Sequence, residues 1–278
     1  MYCRWCQTLD VQRSNYYNWK KGKDKLSKDI AVIEKIKTIF TESKNTYGIA
    51  RIQAALIDQG VKISYNKVMK LKSENNIYPK MKKRYKNTTQ SNHHLPIAEN
   101  ILNREFNPKT KNSCWVSDIT YIPFKNNFLY LCTIIDLYSR KVVGYSLDET
   151  MTTELLVNSL NNALITRKPD KGLIFNSDRG SQYASNIFRN MLNQKGFIQS
   201  MSRKGNCWDM VTERSRSNAV AESFFKTLKS ELKDFQQFDS IQQARAEFFE
   251  YIEVFYNRKR LHSTLNYSSP YQYERRFS

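Results

Sequence analysis

Apolar residues along this chain first recur with a helical period and then with a strand period. Between Lys28 and Ser43, Ile30, Ile33, Ile36 or Lys37, and Phe40 lie three or four positions apart, which predicts a helix. A second helix fits "YGIARIQAALIDQ", with Ile49, Ile52 and Leu56 on one side and Gly60 as its stop. Ser64 is placed to cap a third, "SYNKVMKLKSENN", expected to bury Val68 and Leu71 and to turn Lys67, Lys70 and Lys72 outward. Two short helices about a glycine-containing turn, with lysines on the later one, fit a helix-turn-helix. A small basic bundle that reads no groove fits the same pattern.

Pro79 ends this region, and "PKMKKRYKNTTQSNHH" has no periodicity and reads as a linker whose Lys82, Lys83 and Arg84 track phosphates. His93 and His94 read as solvated linker residues. From Cys114, "CWVSDITYIPF", "FLYLCTIIDLYS" and "KVVGYSLD" predict three strands in an antiparallel meander. The helix "TTELLVNSLNNALITR" follows, then the strand "LIFNSD", a helix through "ASNIFRNMLNQKG" and the strand "FIQSM". A last helix starts at Asn218, a suitable N-cap, with Ala221, Phe224, Phe225, Leu228, Leu232 and Phe235 on one face. The whole describes a mixed α/β sheet flanked by helices behind an all-α module.

Charge sharpens this picture. The 278 residues carry a formal net charge of +19. Residues 1–90 hold 20 Lys and Arg against 7 Asp and Glu, leaving 25 against 19 for the rest. Such an excess points to nucleic acid, with the N-terminal third as the docking module. The longest apolar run, "FLYLCTII", is too short to span a membrane and the first residues lack a signal-peptide core, so a cytosolic, nucleoid-associated protein is expected. Five cysteines form no paired framework, and the lone CxxC of Cys3 and Cys6 lacks the further ligands that zinc requires.

Three acids stand in places where acids are unusual or useful. Asp118 is mid-strand, on the face of Val116, Thr120 and Ile122, where aspartate is disfavoured; a solvent-facing edge strand is the bland alternative. Asp178 closes the strand "LIFNSD", where open α/β sheets place ligands, although a turn before Gly180 also accounts for it. Glu222 opens the last helix, as surface acids commonly do, and begins a stripe with Lys226, Lys229 and Lys233 on the exposed side. Asp136 reads as a turn residue and Asp148 as a strand end. If the three acids converge, they offer hard oxygen ligands to Mg²⁺. Two such ions about 4 Å apart activate an attacking oxygen and stabilise a leaving one in phosphodiester displacement, and the lysine stripe, with Lys204, would hold the DNA backbone.

The stretches "WVSDITYI", "YLCTIIDLYSRKVVGYS", "NSDRGSQYAS", "SMSRKGNCWD" with "NAVAESFFKTLKSEL", and "YIEVFYNRKRLHSTLNYSSPYQYE" resemble a bacterial insertion-sequence transposase. The resemblance is to second-reading-frame proteins whose core is similar to retroviral integrases, and it covers nearly the whole chain. It implies an RNase H-like core with Asp118, Asp178 and Glu222 as DDE metal ligands, served by two Mg²⁺ ions or by Mn²⁺. It further implies a reaction in which a 3′ hydroxyl freed at one element end attacks a second phosphodiester. Terminal repeats and target DNA are the implied partners, with an upstream-frame product and a homo-oligomer on DNA. The motif of Asn257, Arg260 and His262 is read as DNA contact, Arg260 above all, or as structural support.

This chain departs from the family twice. The family places 35 residues between the second Asp and the Glu; here 43 intervene, and removing Met210 to Ser217 restores both the spacing and an unbroken "CWDNAVAESFF". The octet reads as an in-frame insertion in the active-site loop, expected to spare the fold and to impair transposition. Asn176 stands where the family usually has His. The expected organisation is a DNA-binding region at 1–78, a linker at 79–107, the catalytic core at 108–235 with its insertion at 210–217, and a completing C-terminal helix and tail at 236–278. The rival readings are an RNase H-like nuclease that only hydrolyses, and a catalytically inactive DNA-binding protein.

Overall fold

The structure, a computed structural model, describes residues 12–79, 98, 99, 101, 108–201, 219–232 and 238–277. Cys3, Cys6, Lys82, Lys83, Arg84, His93, His94, Lys204, Cys207, Met210 to Ser217, Asn218, Lys233 and Phe235 lie outside those residues. The chain divides into two compact units, Met1–Met81 and Lys82–Ser278.

In the first unit, α1 (Arg13–Glu42), α2 (Ile49–Asp58) and α3 (Tyr65–Glu74) pack on one another. The first helix begins 15 residues earlier than its apolar periodicity predicted. Its opening turns show Tyr17 and Trp19 to solvent, so no inward stripe announced them. Ile30, expected inside, is 54% exposed, and the helix presents Ile36 and Ile39 to the core instead. The expected face holds in the other two helices: Ile52 and Leu56 are buried on α2, Val68 and Leu71 on α3. Gly60, at φ +78°, supplies the left-handed residue after α2 that lets the chain turn. The Ser64 hydroxyl accepts the Lys67 N–H at 3.3 Å, the predicted cap.

Lys72 does not face outward. It is 4% exposed, its ammonium donates to the Tyr47 carbonyl at 3.1 Å and lies 5.0 Å from the Phe40 ring centre, and burial lowers its pKa. The reason is helical geometry: position 72 is four residues after Val68, so it shares the buried face, and among the described residues a carbonyl and a π-face contact replace the lost water. Lys67 is engaged by Asp29 of α1 at 2.5 Å, and Lys70 remains exposed beside Glu74.

In the second unit, β1 (Cys114–Phe124), β2 (Asn127–Asp136), β3 (Val142–Asp148), β4 (Ile174–Ser177) and β5 (Ile198–Met201) form one sheet in the order β3-β2-β1-β4-β5. The first three pair antiparallel as the meander predicted, while β4 joins β1, and β5 joins β4, in parallel. The strand β1 is therefore central, which removes the edge-strand reading of Asp118. A mixed sheet of this order with helical crossovers is an RNase H-like α/β arrangement.

One face is covered by α4 (Thr153–Arg167), α5 (Ser181–Ala184) and α6 (Asn186–Gln194), whose Leu160, Ala163, Tyr183 and Phe188 share a core with Trp115, Ile134 and Phe175. Gly144 permits the close approach of α4, because a Cβ there would lie 2.4 Å from the Ser159 carbonyl oxygen and 2.7 Å from the Ala163 Cβ. Helix α7 (Ala219–Glu231) packs on β1 and buries Ala221, Phe224, Phe225 and Leu228, each larger side chain contributing roughly 1.5–3 kcal/mol. Then follow α8 (Ile241–Phe249), a π-helical continuation over Glu250–Tyr256, and α9 (Pro270–Phe277).

Candidate active site

The sheet order brings two acids to neighbouring strands. Asp118 lies in the middle of β1, and Asp178 immediately follows β4, which runs parallel to β1 with Val116 beside Asn176. Both acids lie two residues beyond the pair of Val116 and Asn176, towards the carboxyl end of β4. Glu222 occupies the first turn of α7, the helix packed on β1.

The Asp118 carboxyl registers all three charges. Burial pushes its pKa up to about 8; the charge of Asp178 adds to the rise, as does that of Glu222, while the Ile119 N–H and Lys229 oppose it. One Asp118 oxygen accepts the Ile119 N–H at 2.9 Å, and one Asp178 oxygen accepts the Gly180 N–H at 2.9 Å. Among the described residues, no three acidic, histidine or cysteine side chains stand close enough to hold one metal ion together. The three acids thus share an electrostatic field here without closing a coordination shell. In kind they fit a hard divalent cation, being oxygen donors whose mutual repulsion a positive ion would relieve.

The helix stripe is not uniformly exposed. Lys226 faces solvent, but Lys229, seven residues after Glu222, is half-buried; burial lowers its pKa and Asp118 opposes that shift. Two helical turns return Lys229 to the side of Glu222, so its ammonium shares the acids' field.

Further residues fix this geometry, and two of them, Ser117 and Tyr183, carried no sequence signal. On the opposite face of β1 from Asp118, the Ser117 hydroxyl is 2.8 Å from the Tyr183 hydroxyl on α5, locking β1 to the helix that follows Asp178. Nothing in the spacing of Tyr183 says that its hydroxyl reaches β1. A Cβ on Gly180 would stand 3.0 Å from an Asp178 carboxylate oxygen, so glycine keeps that oxygen uncrowded. Asn176 is buried and accepts from the Ser200 hydroxyl at 3.0 Å, tying β4 to β5.

The C-terminal motif proves internal. Arg260 is 4% exposed and donates through Nε and an Nη to both oxygens of Glu231, each at 2.8 Å, while the Tyr251 hydroxyl donates to the same carboxylate at 2.9 Å. It is thus withdrawn from the surface where a DNA contact was expected, because a buried carboxylate demands a bidentate partner. The Asn257 side chain accepts from the Val142 N–H and donates to the Val142 carbonyl, both at 3.0 Å, extending the edge of β3. The His262 ring packs edge-on against Tyr256, which in turn meets Phe224 of α7 at 4.8 Å. Asp136, read as a turn residue, accepts the Asn112 and Tyr138 N–H groups.

Comparison with known proteins places these features in a lineage. Residues 108–207 and 222–277 match families described as "Integrase core domain", and residues 27–85 match an "HTH-like domain". The "Insertion element IS600 uncharacterized 31 kDa protein" of Shigella sonnei is 39% identical over 98% of this chain and 98% of its own length. The "Transposase for insertion sequence element IS904" of Lactococcus lactis is 38% identical over 92% of this chain and 98% of its own. Among solved structures, the HTLV-2 integrase catalytic core domain in complex with magnesium aligns with 58% of this chain and 95% of its own, at 15% identity and a TM-score of 0.43. Similar along nearly its whole length to an insertion-sequence transposase, and carrying both an HTH-like domain and an integrase core, the chain belongs to the insertion-sequence transposase family.

Proposed function

We propose that this transposase is a DDE polynucleotidyl transferase that cleaves and joins insertion-sequence ends through Asp118, Asp178 and Glu222. The observation that carries the reading is the placement of three acids about the central strand: Asp118 in β1, Asp178 just past the end of the adjacent parallel β4, and Glu222 in the first turn of the helix packed on β1, with the charges of Asp178 and Glu222 both acting to raise the Asp118 pKa. Residues from two strands and a helix otherwise have no structural reason to concentrate negative charge at one point, since like charges repel.

In this reading the three carboxylates hold two divalent cations, Mg²⁺ or Mn²⁺. When bound, the ions supply charge neutralisation for the attacking and leaving oxygens. The chain's own residues do the rest. Asp118 and Asp178 are held by the sheet and by the Ser117 to Tyr183 link, and Glu222 is carried by α7. Water attacks a phosphorus at an element end and the bond to the 3′ oxygen breaks, that oxygen leaving as a hydroxyl. The hydroxyl then attacks a second phosphodiester, forming one P–O bond as another breaks, so no covalent enzyme intermediate is needed.

Residues 1–78 dock an element end, 79–107 track phosphates, 108–235 perform the transfer and 236–278 complete the core. Lys67, Lys70, Lys82, Lys83, Arg84, Lys204, Lys226, Lys229 and Lys233 meet the backbone, with Lys229 close enough to the acids to hold a scissile phosphate. The protein works in the cytoplasm on the nucleoid, as a homo-oligomer that brings two ends together, with an upstream-frame product as a partner. The octet Met210 to Ser217 is an insertion that impairs this copy.

Element-circle formation in cells, with native flanking ends, tests the assignment in the wild type, the octet deletion and Glu222→Gln in each. Circles that require Glu222 in at least one background support it. Circles that persist without Glu222 sink it.

A further inference from the structure

Arg260 is internal, but its neighbours Arg258 and Lys259 are exposed, and they do not stand alone. The Tyr271 ring, 41% exposed on the first turn of α9, has Arg258 at 5.8 Å, Lys141 at 5.9 Å and Arg275 at 6.0 Å from its centre. Exposed Arg276 follows Arg275 on α9 and donates to the Ser268 hydroxyl at 3.2 Å. Tyr271 is itself fixed, because its N–H donates to the Asn257 carbonyl at 2.9 Å, and the Asn257 side chain is bonded to β3.

Three cations around one ring lie within roughly a Debye length (~10 Å at 0.1 M salt) of one another and repel. The ring face offsets part of that cost. Among the described residues, nearby carboxylates balance it only in part. Glu274 is engaged by Arg167 and by the Ser139 hydroxyl at 2.7 Å, leaving Lys141 at 3.5 Å, and Glu253 accepts from the Asn257 amide at 3.3 Å. The cluster is therefore a preassembled positive surface on rigid elements, with guanidinium and ammonium groups and no apolar pocket. Such a surface complements a row of phosphates.

Its place in the fold separates it from the acids. Lys141 precedes β3 at the end of the sheet where Trp115 pairs with Asp136, whereas Asp118 is three residues further along β1, about 10 Å at the usual strand rise. Asp178 lies beyond the carboxyl end of β4. Phosphates held at this cluster are not the scissile ones.

We propose that Lys141, Arg258 and Arg275, gathered at Tyr271, together with their exposed chain neighbours Lys259 and Arg276, form a second DNA-contact surface that grips the backbone of a duplex without reading its sequence. It rests on the reading that this protein handles DNA, and extends it by a site remote from the acids. The test is the salt dependence of binding by the full chain to a fluorescent duplex of random sequence and to an element-end duplex. The variants are Arg258→Ala/Arg275→Ala and the conservative Arg258→Lys/Arg275→Lys, with circular-dichroism melting to verify folding.

Losing two phosphate contacts makes the log–log salt slope shallower by roughly 2 and weakens both duplexes by a similar factor, while the lysine pair restores the slope. An alanine pair that matches the wild type in affinity and slope overturns the surface. So does loss confined to the element-end duplex, or a lysine pair as impaired as the alanine pair. A wild type that binds neither duplex refutes the underlying DNA reading instead.

Discussion

The Arg260 to Glu231 pair gives the strongest test of how α7 is held. Both side chains are 4% exposed, and Glu231 receives two guanidinium N–H groups and the Tyr251 hydroxyl. In Arg260→Met, Glu231 keeps its charge, loses its two strongest donors and stays out of water. Breaking a buried pair in this way costs about 3–5 kcal/mol. For a unit of this size, Lys82–Ser278, that corresponds to a fall in melting temperature of roughly 6–20 °C. The double variant Glu231→Leu/Arg260→Met removes both charges and fills the space with apolar groups, leaving only the Tyr251 hydroxyl without its acceptor. Its expected loss is about 1–3 kcal/mol. Urea and thermal unfolding followed by circular dichroism measure both variants. If the double variant is as unstable as the single one, or the single one loses less than about 1 kcal/mol, the pair is not the uncompensated-charge trap described here.

Three other substitutions probe separate links. Gly144→Ala forces a Cβ to within 2.4 Å of a backbone carbonyl of α4 and is expected to cost about 1–3 kcal/mol or more in urea unfolding, whereas a neutral result would mean that α4 can withdraw freely. Gly180→Ala crowds two side-chain oxygens, of Asp178 at 3.0 Å and of Gln182 at 3.2 Å, rather than backbone, so circle formation should fall while the unfolding free energy stays within about 0.5 kcal/mol of wild type; equal loss of both would make Gly180 a folding residue. For Glu274, burial alone pushes the carboxyl up, but Arg167, Ser139 and Lys141 together hold it below its ordinary value. Its network therefore stabilises fully above about pH 4.5, the ordinary value, and that stabilisation is lost as the pH falls through the lower folded value. The stability gap between wild type and Glu274→Gln should accordingly close on acidification from pH 6 to pH 3, and a constant gap contradicts the assignment.

Legibility in the sequence followed how local the cause was. Strands β1 to β3 were readable because alternation and short connections are local, and so was the Ser64 cap, whose bond spans three residues. The three acids stood out because Asp118 breaks the composition of a strand and Asp178 ends one; that they fall in one field depends on β4 pairing with β1 across some 60 residues. Lys72 was misread because a long cation on a buried helical face looks the same in sequence as one on a solvent face, and the carbonyl that accepts it belongs to Tyr47. In sequence Arg260 stays open between DNA contact and structural support for the same reason, its partner Glu231 lying 29 residues away on α7. At the start of α1, the exposed Tyr17 and Trp19 offered no inward stripe to read.

The downstream contacts also bear on the octet. Only residues 202–218 join Met201 of β5 to Ala219 of α7, 17 positions of which Met210 to Ser217 are eight. Treated as a closure problem, lengthening that join from nine positions to 17 costs about 0.6 kcal/mol. Against this, α7 is held by Phe224 on Tyr256 near its start, by Glu231 on Arg260 and Tyr251 at its end, and by Phe225 and Leu228 buried between. Those contacts amount to several kcal/mol and none involves the join, so they determine where Glu222 stands over β1. On the proposed reading that the octet impairs this copy, the impairment should then fall on how the join meets DNA, where a displacement of about 1 Å at the reacting phosphate is enough to cost on the order of a hundredfold in rate. Deleting the octet is expected to raise circle formation while shifting unfolding free energy by less than about 1 kcal/mol. A deletion that changed stability by several kcal/mol would show instead that the join, rather than the downstream contacts, sets the position of α7.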